Sequence, residues 1–442
     1  MKREFNFLKN YLKKHTLEFN SKEVKKGSAF IALKGKRDGH KFIDNALKKG
    51  AKVFILEKRK KNLYGFSHLE TFTKIIYTKD NFRFFKNFAN YKKKLYKGKK
   101  IALTGSVGKT TTKEFLFYLL SKFEKTYKNI KSYNNFLGLL YTLSNLNLSS
   151  KYYVQELGTN HFGEIESLVK FLKPQIRIIT KIGKAHLENF KNLEGVIQAK
   201  LEIIKDNNFD FAILPKFLKN YLENNLIKKN NIYFFDEKES ILEDRYLNSS
   251  FERETTIKIF NKTIKVRHKI LGDGFLTSLI IGAYLLYLLN LDLKILEDIR
   301  DFQLPSHRLN VFSLNIYNKN ILIIDDSYNA NPTSFENLIG ILKKLKNIYD
   351  AEVLCIFGKM AELGNDEKKE HKYIYNKLKS FSKVFLFNID FLKDTFYSSH
   401  EALFLDILKF IKNSSKENLI IAFKGSRINQ LEKIVEKIKN VG

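Results

Sequence analysis

Residues 101–123 read IALTGSVGKTTTKEFLFYLLSKF, and this stretch predicts a strand, a tight turn and a helix. The strand is the apolar run Ile101–Leu103, and apolar residues recur at helical spacing after the turn. Gly105 and Gly108 allow backbone N–H groups to approach an anion closely, and the N-terminus of the helix adds partial positive charge. The stretch therefore predicts an α/β fold with a phosphate-binding turn.

The same turn supplies the first candidate site residues. We expect Lys109 to place its charge on the terminal phosphates of a nucleotide and Thr110 to offer a hydroxyl to Mg²⁺. Leu103 stands where the longer phosphate-loop motif has another glycine, so an ordinary strand-to-helix turn is the alternative. The candidate nucleotide contacts in the turn are Gly105, Ser106, Val107, Gly108, Lys109, Thr110 and Thr111.

The composition is that of a folded, strongly basic protein of 442 residues, with 44% hydrophobic residues and a formal net charge of +32. The lysines are spread along the chain and form no single patch, which suits a drift toward A/T-rich codons. We therefore expect no nucleic-acid partner, although the charge favours anionic substrates through steering. Cys355 is the only cysteine and lies in an apolar run, so it is predicted to be a core residue in a reducing compartment.

Two segments of the sequence bear on whether the protein is exported or inserted into a membrane. The start, MKREFNFLKNYLKK, lacks the sustained apolar core of a signal peptide. The 18 residues between Asp273 and Asp292 carry no charge, a length at the lower limit for a membrane span. Gly282 and Ala283 in this stretch suit close helix packing, so we predict a buried helix and no stable membrane insertion. The chain is expected to be a cytoplasmic monomer.

Strands and helices alternate along most of the chain, which predicts three α/β domains. A small N-terminal domain is expected over 1–97, and a central domain with a mostly parallel sheet flanked by helices over 98–309. A C-terminal Rossmann-like domain is expected over 310–442. A lysine-rich helix near Tyr91–Lys100 is predicted to link the first two domains, and 228–262 is predicted to be a small β excursion.

Polar residues stand at the carboxyl ends of several predicted strands, where open α/β sheets bind ligands. Glu156 ends the strand YYVQEL and is a candidate ligand for Mg²⁺, while Asp326 ends ILIIDD and could bond a ribose. Each could equally be a solvated loop or turn residue, but together they indicate a cleft between two α/β domains. The end of a further strand carries three groups suited to a carboxylate or phosphate, namely Lys424, Ser426 and Arg427.

A series of motifs over essentially the whole chain resembles the Mur ligase family, the ATP-dependent amino-acid and peptide ligases of peptidoglycan precursor synthesis. The similar runs are LKGKRDGHKFIDNALKKGA (33–51), TGSVGKTTTKE (104–114), NNFLG (134–138), ELGTNHFGEI (156–165), AHLENF (185–190), QAKLEI (198–203), SHRL (306–309), DDSYNANPTS (325–334), MAELG (360–364) and KGSR (424–427). ELGTNHFGEI and DDSYNANP are most similar to the members that join D-alanyl-D-alanine to a UDP-N-acetylmuramoyl tripeptide.

The resemblance implies a reaction and a role in cell-wall biogenesis, and hence in cell shape and division. ATP would phosphorylate the terminal carboxylate of the tripeptide, and the amine of D-alanyl-D-alanine would then displace phosphate. The alternatives are a sister ligase that adds a single amino acid, a folate-type ligase with the same ATPase core, and a P-loop nucleotide- or polyanion-binding protein.

The resemblance also implies roles for individual residues. The residues implied in catalysis are Lys109, Lys200 and His186, and those implied in metal binding are Thr110, Glu156, His186 and Lys200, the last as a carbamate formed with CO₂. Further nucleotide contacts would be Asn135, Arg308 and Asp326. Substrate contacts would be Ser21, Lys22, Asn160, His161, Asn329, Asn331, Lys424, Ser426 and Arg427. The chain departs from the family pattern at Lys181, Gly274, Ser278, His307 and Lys359.

Overall fold

The computed structural model describes residues 1–69, 71, 73–185, 187–224, 231–247, 251–392 and 394–441. The chain forms two compact units. The first comprises Met1–Ala102, Leu120–Leu157 and Ser167–Ile176, and the second comprises Leu103–Leu119, Gly158–Glu166 and Arg177–Gly442. Helices and mostly parallel sheets alternate throughout, which confirms the predicted α/β class. The three-domain boundaries stay a prediction.

The N-terminal region is a four-stranded parallel sheet with helices. Its strands, in sheet order, are β1 (Leu17–Glu18), β2 (Ala29–Ile31), β3 (Val53–Glu57) and β4 (Lys74–Thr78). Its helices are α1 (Lys2–Tyr11), α2 (Ile43–Lys48), α3 (Lys61–Tyr64) and α4 (Asn81–Leu95). Strand β3 reads VFILE and is buried at every position, as expected for a strand of a parallel sheet covered on both faces.

Helix α4 shows that the helix predicted near Tyr91–Lys100 was wrongly placed. The helix begins after Asp80, whose carboxylate accepts a 2.9 Å hydrogen bond from the Arg83 N–H and caps the N-terminus. It ends at Leu95, and Lys99 and Lys100 already belong to the next strand. The reason is that the buried stripe of α4 starts with its phenylalanines, well before the lysine-rich end.

Lys92 lies on that buried stripe and is only 3% exposed. Burial, together with the charge of Lys9, lowers the pKa of Lys92 to about 8. The unfolded chain therefore binds more protons than the folded chain between about pH 8 and pH 10.5, so burial of this charge costs stability below that window. We expect Lys92→Met to raise the free energy of unfolding at pH 7 by up to about 3 kcal/mol.

The gain from Lys92→Met should fade as the pH rises from about 8 to 10.5, because the wild-type amine is then neutral in the folded state. Urea unfolding, followed by circular dichroism, measures the free energy of unfolding of each variant at pH 7 and at pH 10. Lys94→Met is the matched control, since Lys94 is exposed in the same last turn of the helix. An equal gain from the two variants, or a gain independent of pH, contradicts the prediction.

The central region contains a six-stranded sheet with the order β10-β9-β8-β5-β7-β6. Its strands are β5 (Lys99–Thr104), β6 (Thr126–Lys128), β7 (Tyr152–Glu156), β8 (Ile176–Ile179), β9 (Phe211–Pro215) and β10 (Ile232–Phe235). The accompanying helices are α5 (Lys109–Ser121), α6 (Phe136–Ser144), α7 (Glu164–Leu172), α8 (Leu187–Phe190), α9 (Leu193–Leu201), α10 (Leu218–Asn224) and α11 (Glu237–Ser240). The pairs β6–β7 and β9–β10 are parallel, in agreement with the predicted mostly parallel sheet.

A three-stranded antiparallel sheet follows, formed by β11 (Ile241–Tyr246), β12 (Arg253–Ile259) and β13 (Lys262–His268). This confirms the predicted β excursion, which extends to His268. The uncharged stretch then forms α12 (Leu276–Leu288), in which every residue from Leu276 to Leu286 is buried, as predicted. Within the described residues, no helix has the length and apolar character needed to cross a membrane.

The C-terminal region is a second six-stranded sheet, with the order β14-β15-β19-β16-β17-β18 and apolar clusters on both faces. Its strands are β14 (Asn310–Ile316), β15 (Lys319–Asp326), β16 (Glu352–Gly358), β17 (Lys383–Phe387), β18 (Phe396–Tyr397) and β19 (Asn418–Lys424). Its helices are α13 (Pro332–Tyr349), α14 (Glu367–Lys379), α15 (His400–Asn413) and α16 (Glu432–Lys439). Among the described strands of this sheet, the edge strand β14, which was not predicted, pairs antiparallel and the others pair parallel. Cys355 is buried in β16, as predicted.

Candidate active site

The turn between β5 and α5 has the backbone geometry that its glycines allow. Gly105 has φ +151° and Gly108 has φ +83°, both in the region that favours glycine. A Cβ atom at Gly105 would lie 2.0 Å from Thr180 Oγ1, so no side chain fits there. Helix α5 begins at Lys109, and its N-terminal N–H groups and dipole therefore face this turn. The geometry is that of an anion-binding cradle.

The end of β8 holds the cradle in place. The carbonyl of Lys181 accepts hydrogen bonds from the N–H groups of Ser106 and Val107, at 2.7 and 3.3 Å. Thr180 Oγ1 donates to the Val107 carbonyl at 2.7 Å, and the Lys109 ammonium donates to the Gly105 carbonyl at 2.6 Å. Lys181, a departure from the family pattern, thus contributes its backbone to the loop, which any residue could do.

Helix α5 is also fixed to α12. The hydroxyls of Thr112 and Ser278 form a buried 2.8 Å hydrogen bond. Ser278 is another of the departures, and this contact gives it a structural partner beside the phosphate loop. Thr110, the predicted Mg²⁺ ligand, lies two residues before Thr112 in α5 and is only 7% exposed.

In the first unit, Glu156 ends strand β7 as predicted and is 2% exposed. Its N–H donates to Asn129 Oδ1, and Asn134 Nδ2 donates to its carboxylate, both at 2.9 Å. Asn135 instead caps α6 by accepting from the Gly138 N–H at 2.9 Å. The sequence did not reveal that Asn134, and not Asn135, is hydrogen-bonded to this acid.

The predicted substrate loop after β7 is held by carboxylates. Glu164 accepts from the N–H groups of Asn160 and His161 at 2.7 and 3.2 Å, and Glu202 accepts from the Gly163 N–H at 2.6 Å. Asn160 and His161 themselves are exposed. A loop with a fixed backbone and exposed polar side chains is suited to contact a polar substrate.

Lys200 is fully buried in α9, although its sequence position on a helix suggested a solvated side chain. Arg177 on β8 fixes the segment that follows this helix, because its guanidinium donates to the carbonyls of Ile203 and Asn208, each at 2.8 Å, and pairs with Asp206 at 2.7 Å. His186, the other predicted catalytic residue of this region, lies outside the described residues.

In the C-terminal region, Asp326 and Lys424 lie opposite each other on β15 and β19 and form a buried ion pair. Lys424 also donates to the Asn329 carbonyl at 3.2 Å. Burial raises the pKa of Asp326, and the charge of Lys424 opposes that rise. The structure thus brings together three residues that were predicted separately, Asp326, Asn329 and Lys424.

Two guanidinium groups lie against one aromatic ring beside this pair. The centre of the Arg308 guanidinium is 4.1 Å from the centroid of the Tyr328 ring, and that of Arg427 is 5.5 Å from it. Arg427 also pairs with Glu432 at 3.0 Å. Tyr328 was not a predicted site residue, and its only sequence signal was its place inside DDSYNANP.

The remaining C-terminal candidates make contacts that shape the loops. Ser426 Oγ accepts from the Ala361 N–H at 2.9 Å, and Asn331 caps α13 by accepting from the Ser334 N–H at 2.9 Å. Lys359, a further departure, pairs with Glu367 at 2.7 Å. These contacts position the neighbouring backbone.

In the N-terminal region, Ser21 is buried and Lys22 is exposed. The Lys22 N–H donates to Asn20 Oδ1 at 3.1 Å, and its carbonyl accepts from the Lys49 ammonium at 2.6 Å. The ammonium of Lys22 is thus presented from a turn with a well-defined backbone.

Within the second unit, the segment around position 186 contacts the C-terminal region. The Glu188 N–H donates to the Glu362 carbonyl at 3.3 Å, and Lys184 pairs with Glu370 at 2.6 Å. Residues on both sides of position 186 therefore contact the region that contains the MAELG motif.

Comparisons with known proteins agree with this geometry. The family models for the Mur ligase middle domain, the glutamate ligase domain of Mur ligases and the Mur ligase catalytic domain match residues 103–285, 307–436 and 13–82. A UDP-N-acetylmuramoyl-tripeptide–D-alanyl-D-alanine ligase of Rickettsia prowazekii is 32% identical over 97% of this chain and 96% of its own length. The corresponding ligase of Buchnera aphidicola is 30% identical over 96% of this chain and 92% of its own length.

Solved structures give the same result. MurF from Acinetobacter baumannii matches with a TM-score of 0.79 and 26% identity, covering 97% of this chain and 93% of its own. MurF from Thermotoga maritima, crystallised with ADP, matches with a TM-score of 0.78 and 26% identity, covering 97% of this chain and 98% of its own. The chain therefore belongs to the Mur ligase family.

Proposed function

We propose that this chain is an ATP-dependent ligase that joins D-alanyl-D-alanine to UDP-N-acetylmuramoyl tripeptide, giving the pentapeptide precursor of peptidoglycan. The observation that carries the proposal is similarity to ligases of that name over 97% of the chain, phosphate loop included. The T. maritima relative crystallised with ADP supports ATP as the second substrate. The same relatives do not favour a nucleotide switch or a polyanion-binding protein.

The chemistry explains why a phosphate cradle is needed. A carboxylate is a poor electrophile, so an oxygen of the tripeptide carboxylate attacks the γ-phosphorus of ATP and ADP leaves. The amine nitrogen of D-alanyl-D-alanine then attacks the acyl carbon and loses a proton, and phosphate leaves as the C–N bond forms. Both the phosphate and the carboxylate are anions, so the Lys109 ammonium and the α5 N-terminus act by neutralising their repulsion.

Mg²⁺ fits the oxygen donors of this chain. The Thr110 hydroxyl lies at the start of α5, and the Glu156 carboxylate is buried at the end of β7 with one donor from Asn134. Within the described part of the chain, no group of three or more His, Cys, Asp or Glu residues is arranged to hold a metal ion. Mg²⁺ commonly takes one or two protein ligands together with substrate phosphates, where it neutralises phosphate charge. The family resemblance implies this role for Thr110, Glu156 and His186.

Lys200 is proposed to carry a carbamate formed with CO₂. The Lys200 side chain is fully buried, which is rare for a lysine and sets it apart from the solvated lysines of the surface. The resulting anion would supply oxygen atoms for a metal ion, as the family resemblance implies.

The other assignments complete the proposal. Arg308, Asp326 and Asn135 contact the nucleotide. The peptide and UDP-sugar contacts are Ser21, Lys22, Asn160, His161, Asn329, Asn331, Lys424, Ser426 and Arg427. We propose three domains with boundaries at 97/98 and 309/310, a monomeric state and a cytoplasmic location.

A two-substrate assay tests the function. We expect phosphate release only when ATP, UDP-N-acetylmuramoyl tripeptide and D-alanyl-D-alanine are all present, with the UDP-linked pentapeptide detected by mass spectrometry. Each substrate is omitted in turn as a control. Equal turnover with a single amino acid in place of the dipeptide would identify a sister ligase. Tight, salt-sensitive binding of a random oligonucleotide without any amide product would support a polyanion-binding protein instead.

A further inference from the structure

We propose that His307 is a positioning residue that holds Arg308 in its binding orientation through a hydrogen bond to Asp325. The inference rests on the proposed function, in which Arg308 contacts the nucleotide. It begins from the backbone before β14, where His307 has φ +61° and Leu309 has φ +56°. Residues other than glycine rarely adopt this left-handed backbone conformation. Contacts with other parts of the chain must therefore hold the residues on both sides of Arg308 in it.

The restraint on His307 comes from the end of β15 and the loop that follows it. His307 Nδ1 donates to Asp325 Oδ2 at 2.7 Å, and the His307 carbonyl accepts from the Tyr328 N–H at 3.0 Å. Asp325 is 2% exposed, and its other oxygen accepts from the Ser327 N–H and hydroxyl at 3.2 and 2.6 Å. Both oxygens of this buried carboxylate are therefore used, and one of them fixes the imidazole.

These contacts of His307 determine where the Arg308 side chain lies. Its guanidinium stacks over Tyr328, the residue whose N–H bonds to the His307 carbonyl. The neighbouring cations Lys424 and Arg427 pair with Asp326 and Glu432. Arg308, by contrast, has no carboxylate at salt-bridge distance anywhere in the described residues. A guanidinium that stacks on a ring and forms no salt bridge within the described residues is suited to receive an anionic group such as a nucleotide phosphate.

Three substitutions of His307 distinguish the effect of the imidazole hydrogen bond from the effect of the backbone conformation. His307→Asn retains a nitrogen donor one bond beyond Cγ, as in histidine Nδ1, and asparagine tolerates positive φ. His307→Gly relieves the backbone but removes the donor, and His307→Ala removes the donor and keeps the strain. We expect Ala and Gly each to weaken ADP binding, measured by titration calorimetry, by about 10-fold, while Asn stays within about 3-fold of wild type.

Steady-state kinetics should show the same order. The KM for ATP should rise for the Ala and Gly variants, with kcat at saturating ATP changed by less than about 3-fold. A merely structural role would lower thermal stability without this separation of KM from kcat. If the Ala variant does not fold, the comparison of Asn with Gly decides the outcome alone.

Specific results would overturn the inference. ADP affinity of the Gly variant equal to that of wild type would show that backbone conformation alone matters. Equal losses in the Asn and Gly variants would show that the bond to Asp325 has no role. If wild type binds ADP and forms no pentapeptide, the proposed function fails while the order of ADP affinities still tests His307. If wild type binds neither ATP nor ADP, both fail.

Discussion

Lys109→Met is expected to reduce the rate of pentapeptide formation by at least about 1000-fold. The substitution keeps most of the side-chain length and removes the ammonium group, which is the part of the side chain that neutralises phosphate charge. The substitution removes the bond from the Lys109 ammonium to the Gly105 carbonyl, but the loop backbone stays held by the Lys181 carbonyl and the Thr180 hydroxyl, which directly follow β8. The loss should therefore appear mainly in kcat, measured by mass detection of the product at saturating substrates.

Lys122→Met is the matched control for this prediction. Lys122 follows the end of the same helix and is exposed, so the same chemical change there should leave turnover within about 2-fold of wild type. Both variants should unfold at nearly the wild-type temperature. A Lys109→Met enzyme that retains a tenth or more of wild-type activity would show that the cradle works through its backbone and helix dipole alone.

The features that the sequence predicted well are those set by local pattern. Strand β5 contains the predicted run Ile101–Leu103, and the phosphate turn lies between β5 and α5, because an apolar run, a glycine turn and helical periodicity are all contiguous signals. The uncharged stretch that became α12 was correctly predicted to be a buried helix.

Two features were not predicted from the sequence, for different reasons. Strand β14 forms a hairpin with β15, and its alternation of Phe312, Leu314 and Ile316 with polar residues is a local strand signal that the prediction omitted. The stacking of Arg308 on Tyr328, by contrast, joins two motifs that are separate in the sequence.

The candidate site likewise contains residues that a local sequence pattern could select and residues that it could not. Glu156 could be selected because a buried strand ends in an acid, whereas Asn134 could not be told from a turn residue until its bond to Glu156 was seen. Lys200 was selected only through the family resemblance, since a lysine on a helix is usually solvated. Its complete burial is the physical property that no local pattern contained.

That burial leads to the second large expected effect. Lys200→Ala should lower kcat by about 100-fold or more, because it removes the proposed carbamate and with it an anionic metal ligand. The space left by the side chain is small and enclosed, so formate or acetate should enter it and restore part of the activity. Lys205→Ala is the control, because Lys205 is exposed and lies five residues after Lys200. This variant should remain near wild-type activity with or without added formate or acetate.

The rescue distinguishes a carbamate from a simple packing role for Lys200. Formate should raise the turnover of Lys200→Ala by at least about 10-fold and leave Lys109→Met unchanged, because a small carboxylate can replace a lost anion but not a lost cation. Lys200→Met, which fills the same space without a charge, should be as slow as Lys200→Ala and should resist rescue. Full activity of the methionine variant, or no response of the alanine variant to formate at any concentration that wild type tolerates, would assign Lys200 to the core rather than to the metal site.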